Sequence, residues 1–162
     1  MENGSASINN NGLTVERQAN GFADNPGDHD AVFEVDKNAN IDAILVLTSG
    51  GYSERMISGR RLRCMVIAAT SSKKILRQLN ILWGVNPLLI SGNLEDISNK
   101  EKREAVLNSL NKGLIKKSYH IAIVASVFHS KSKITNLLEI HKVDEFLDYL
   151  RGKYRIKTGE IR

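Results

Sequence analysis

At 162 residues the chain is long enough for one domain with a real core and too short for two ordinary ones. Its 41% hydrophobic and 25% charged residues match water-soluble globular chains and exclude fibrous ones. No run approaches the roughly 20 apolar residues of a spanning helix, and the N-terminus has neither a basic start nor an apolar leader stretch, so the chain is expected to stay in the cytosol and off membranes.

The net charge of +5 is unevenly spread. Residues 1–42 carry eight acids against Arg17 and Lys37, whereas residues 43–162 carry 21 Lys or Arg against 10 acids. The first forty residues are rich in Asn, Gly, Ser and Asp and show no sustained period, so residues 1–40 read as a polar, acidic, mostly disordered segment. A short extended piece is predicted at Ala31 to Val35.

From Ile41 onward short apolar runs alternate with helical ones. Ala43 to Thr48 is continuously apolar, which predicts a strand buried on both faces. A Ser-Gly-Gly turn follows, and then a short helix over Glu54 to Arg60. Cys64 to Thr70 is a second buried strand. Cys64, the single cysteine, reads as a small buried hydrophobe there. Ser71 or Ser72 can cap the next helix, with Ile75, Leu79 and Leu82 on one face; Trp83, at its end, reads as core.

Val85 to Ser91 is a third strand, and Pro87 favours an edge position or the strand's first residue. The helix from about Ser98 to Lys112 presents Ala105, Val106, Leu107 and Leu110, and Gly113 stops it. Tyr119 to Ser126 is a fourth strand. Thr135 to Val143 is a fifth; it alternates, so it is placed at an edge. Val143, Phe146, Leu147 and Leu150 share a stripe that predicts a short docking helix, so residues 41–143 form the domain and 144–162 a helix with a basic tail. Strands alternating with helices imply a parallel sheet covered on both faces.

Ligands in such a sheet bind beyond the carboxyl ends of the strands. The loop after the first strand is Thr48, Ser49, Gly50, Gly51, Tyr52 and Ser53. Its glycines let the backbone approach a ligand, the hydroxyls of Thr48, Ser49 and Ser53 offer hydrogen bonds, and free N–H groups at the helix start favour an anion. A plain tight turn with Ser53 as N-cap would have the same sequence. His129, Lys131 and Lys133, in the loop between strands four and five, are candidate second anion contacts; a mobile basic loop reads equally well. Arg60, Arg61 and Arg63 read as a solvated corner.

No paired Cys or His spacing, P-loop, nucleophile elbow or three-glycine fingerprint occurs in the sequence. No catalytic residue, metal or cofactor is therefore assigned.

The blocks DAILVLTSGGYSERM, RCMVIAAT, KKILRQLNILWGVNPLLI, GLIKKSYHIAIVAS and TNLLEIHKV, in this order, resemble the C-terminal α/β domain of pyruvate kinase over roughly 100 of the 162 residues. The resemblance rests on a strand ending in Leu-Thr before a small-residue loop, an Arg-Gln-Leu helix and a Trp-Gly-Val-x-Pro corner. Gly-Leu-Ile-Lys-Lys and a final Thr-Asn-Leu-Leu strand complete it. Three features depart from the family: Tyr52 stands where its loop usually has Arg or Lys, VFHSKSKI replaces a Gly- and Pro-rich loop, and the polar N-terminal segment takes the place of a helix upstream of the first strand.

The resemblance implies a three-layer α/β/α sandwich with a five-stranded, mostly parallel sheet whose last strand is antiparallel. It also implies an effector phosphate at Thr48, Ser49, Gly50, Gly51 and Ser53, and subunit contacts through the last strand. The expected function is a stand-alone regulatory or ligand-binding module for a phosphorylated metabolite or nucleotide. It is not expected to transfer phosphoryl groups, because the kinase barrel needs about 250 residues. The alternative is an assembly subunit that joins itself or a catalytic pyruvate kinase. Charge alone would also suit nucleic acid, but no aromatic platform is visible among the basic residues, and that reading ranks below the others.

Overall fold

The computed structural model describes residues 5–9, 12–16, 27–92, 94, 97–125 and 137–158. Its centre is a sheet of short apolar strands. β3 (Ala43–Leu47), β4 (Met65–Thr70), β5 (Val85–Leu89) and β6 (His120–Ala125) run parallel, with β6 beside β3 and β5 beyond β4. β7 (Leu137–Lys142) pairs antiparallel with β6, as its place in the expected five-stranded sheet requires.

Two further strands extend that sheet. β1 (Ser5–Asn9) and β2 (Gly12–Glu16) form a hairpin, and β2 pairs antiparallel with β7, Leu13 opposite Ile140 and Val15 opposite Leu138. The order is therefore β1-β2-β7-β6-β3-β4-β5. The N-terminal segment, expected to lack structure, supplies this pair, and β7 is internal where its alternating sequence suggested an edge. β5 does lie at an edge, and Pro87 pairs there with Ala68 at no cost to an inner ladder.

The segment Ala31 to Val35, expected to be extended, lies inside the helix α1 (Gly27–Asn38). Its two valines are three residues apart, which suits a helix as well as a strand. Val32 is buried and Val35 packs beside it on the sheet. The chain thus has a helix upstream of β3, where the polar segment seemed to replace one.

Successive side chains of a strand point to opposite faces, and β3 shows both cores. Ile44 and Val46 face Val32 of α1 and Ile57 of α2 (Tyr52–Gly59). Ala43, Leu45 and Leu47 face α4 (Asn99–Asn111) through Ala105 and Val106, and α5 (Val143–Thr158) through Val143, Phe146 and Leu150. Each fully buried Leu or Ile contributes roughly 1.5–3 kcal/mol. α4 starts with a capping box between Ser98 and Glu101, which satisfies two of its first N–H groups.

α3 (Lys73–Leu79) is shorter than its apolar stripe suggested, ending at Asn80. Trp83 therefore lies in the turn beyond the helix and is 66% exposed, not in the core. Cys64 stands just before β4 and is half-buried; burial, then the neighbouring Asp36 carboxylate, pushes its thiol up to about 12, which leaves it an unreactive neutral thiol at neutral pH.

Candidate functional site

β3 delivers Thr48 to the carboxyl edge of the sheet, where its N–H donates to the Ala69 carbonyl at 2.9 Å. Thr48 Oγ1 accepts from the Gly51 N–H at 2.8 Å, closing a tight turn over Ser49 and Gly50. Gly51 has φ +73 and is the N-cap of α2. A Cβ at Gly51 would lie 3.3 Å from Ile75 Cγ2, so both backbone and packing call for glycine there. A Cβ at Gly50 would meet no atom within 4 Å, so that side of the loop is open.

The cap has no side-chain hydrogen bond. The expected capping residue, Ser53, lies inside the helix and is buried. Gly51, having no side chain, offers the first N–H groups of α2 no capping oxygen of its own, and the first turn of a helix is where an anion is favoured. Thr48, Ser49, Gly50 and Gly51 form one turn, and Ser53 lies behind it in the first turn of α2. Tyr52 opens α2, and its side chain is outside the described residues, as are His129, Lys131 and Lys133. β6 ends at the same edge, beside β3.

Two residues join this loop that the sequence pattern did not single out. Arg55, one turn into α2, would have its guanidinium 3.8 Å from a Cβ at Gly51 and donates to Gln78 Oε1 at 3.4 Å. Its four-residue spacing from Gly51 on a helix was the available signal. Glu54 is 0% exposed, and neither of its carboxylate oxygens has a hydrogen-bond partner of good geometry. Burial pushes its carboxyl up to about 7, against smaller pulls from its own backbone N–H, the Thr48 hydroxyl and Arg55. An acid in the first turn of a helix normally looks like a solvated partner of the helix dipole, so only the fold reveals its burial.

Arg60, Arg61 and Arg63 precede β4 and so occupy the opposite, amino edge of the sheet. They cannot share a ligand with the glycine loop. Among the described residues no three His, Cys, Asp or Glu side chains converge as a metal site.

A mixed sheet covered on both faces, with a glycine-capped turn at its carboxyl edge, defines an open α/β domain of the kind that holds ligands at strand ends. Comparison with known proteins narrows this class. The chain belongs to the family of the pyruvate kinase alpha/beta domain, whose family model matches residues 29–141.

Its relatives include pyruvate kinases from Staphylococcus epidermidis, 33% identical over 67% of this chain and 18% of the relative, and from Lactobacillus delbrueckii, 31% identical over 82% of this chain and 22% of the relative. The pyruvate kinase of Thermoplasma acidophilum is 47% identical over 42% of this chain and 12% of that enzyme. The chain thus spans about a fifth or less of the length of these relatives. A crystal structure of a pyruvate kinase from Cryptosporidium parvum has the same fold, with a TM-score of 0.58 and 21% identity over 70% of this chain and 22% of that one. No helix among the described residues is long and apolar enough to cross a membrane.

Proposed function

We propose that this chain is an effector-binding α/β domain that takes a phosphorylated metabolite or nucleotide at Thr48, Ser49, Gly50, Gly51 and Ser53. These 162 residues would not by themselves transfer phosphoryl groups, since a catalytic barrel of about 250 residues exceeds their length. The observation that carries the reading is the glycine-capped start of α2 behind the open side of Gly50. Arg55 adds a positive charge beside it.

Isothermal titration with fructose bisphosphate, sugar monophosphates, AMP and a flavin nucleotide tests this. Saturable heat with at least one phosphate ester, reduced in an Arg55→Ala variant, is the expected result. No heat with any of them from a folded sample overturns it.

Assembly through the last strand is the second reading, and one observation bears on it. β2 occupies the outer edge of β7, so pairing of two copies through β7 would require the hairpin to move away.

A further inference from the structure

The amino edge of the sheet carries a row of cation–aromatic contacts drawn from separate segments of the chain. Before β6, Lys116 Nζ lies 6.0 Å from the Tyr119 ring centre. Beside β3, the Phe33 ring is approached by Lys37 at 5.6 Å and Arg60 at 5.8 Å. Before β4 and β5, the Arg61 guanidinium lies 5.5 Å from the Trp83 ring centre. All four such contacts among the described residues are on this edge. Tyr119 packs on the α4 and α5 face of the sheet, whereas Arg60 and Arg61, at the end of α2, join Phe33 and Trp83 on the other side of the edge.

The Trp83 end is held in place and open to solvent. Ser58 Oγ donates to the Trp83 carbonyl at 2.8 Å, tying the turn before β5 to the end of α2. Arg61 is held at φ +49, the left-handed region that a side chain avoids. Trp83 is nevertheless 66% exposed and Ile81 beside it 85%. Three described acids of this region are engaged elsewhere. Asp36 accepts from the Cys64 and Arg63 N–H groups at 3.0 and 3.1 Å, Glu34 from Asn38 at 2.7 Å, and Asp42 from the His120 N–H at 2.8 Å. Arg61 makes no ion pair with any described residue.

We propose that this edge binds single-stranded nucleic acid, with the exposed Trp83 as the main stacking surface, the half-buried Phe33 as a second, and Arg61 and Lys37 as phosphate contacts. An exposed ring with cations beside it is an element of sequence-tolerant single-strand binding, because every base has a π-face and every linkage a charge. An acidic peptide would match the charge but leave the Trp83 face unused. A free mononucleotide would engage Trp83 but leave the second cation-flanked ring, Phe33, unused. The site lies at the far end of the strands from the glycine loop, so it stands or falls independently of the proposed function.

Trp83 is the chain's only tryptophan and reports directly on a stacked base. Titration of the full chain with a short labelled oligouridine should quench Trp83 fluorescence and raise the anisotropy of the label, with binding weakened by added salt. Trp83→Leu and Arg61→Ala should each weaken the anisotropy-detected binding by roughly tenfold. Lys73→Ala, at the opposite edge, should bind as the unaltered chain does. The proposal is overturned by absence of binding at low salt, or by binding that both edge variants retain in full. Displacement by polyglutamate or UMP at the same concentrations as by the oligonucleotide overturns it as well.

Discussion

A carboxylate that is 0% exposed and whose partners only partly offset its burial, as at Glu54, opposes folding whenever it carries its charge. Its folded carboxyl sits at about 7 against an ordinary 4.5, so the folded chain holds a proton there that the unfolded chain has released. Below about pH 4.5 both states are protonated and nothing is lost; as the pH rises toward 7 the folded state is progressively destabilised, by up to about 3 kcal/mol. Glu54→Gln removes this dependence. In urea denaturation the variant should gain on the unaltered chain by about 2–3 kcal/mol between about pH 4 and pH 8. A difference that stays constant across that range would show that Glu54 does not titrate as described.

At the scale of elements, β7 carries a second buried polar group. Lys102 Nζ of α4 lies 2.9 Å from Glu139 Oε2, with side chains 7% and 16% exposed, and His141 Nε2 lies 3.4 Å from the same oxygen. Burial alone would raise the Glu139 carboxyl, yet the His141 hydrogen bond and the Lys102 charge bring it below its usual value. Lys102→Met leaves that carboxylate buried without its main partner and should cost roughly 3 kcal/mol. Adding Glu139→Leu should recover most of the loss; a double variant as unstable as the single one would show that α4 needs Lys102 for packing alone.

Strands β3, β4 and β6 were legible in the sequence because AILVL, MVIAAT and HIAIVA are continuously apolar, and the carboxyl-edge turn was legible because Gly50 and Gly51 follow the first of them. α1 was not, since Val32, Phe33 and Val35 fit either period until the sheet supplies a face for them. Nor was the position of Trp83, because nothing before Gly84 in KKILRQLNILW marks the early stop at Asn80. The Arg61–Trp83 and Arg60–Phe33 contacts join residues from three separate segments, and no local pattern encodes such a meeting. Glu54 was missed for the same reason: its burial is a property of the packed sheet and not of the helix that bears it.

On the scale of the whole molecule, the hairpin of β1 and β2 closes the open side of β7. Unpaired strand edges invite pairing with another chain. Removal of residues 1–16 should therefore raise the mass measured by light scattering, increasingly with concentration, while the full chain at the same concentrations stays smaller. Equal masses for the two would mean that β7 needs no cover.

The pairing of Leu13 with Ile140 also sets an order of events. It joins strands far apart in the sequence, whereas β3 and β4 meet across a single short helix. Contacts this distant in sequence are the slowest to close. The hairpin should then be the last part to dock, and pulsed hydrogen exchange should find the β2 amides protected after those of β3, β4 and β6. Until that moment the folding chain carries an exposed sheet edge, which makes the interval before docking the stage at which it is most prone to aggregate.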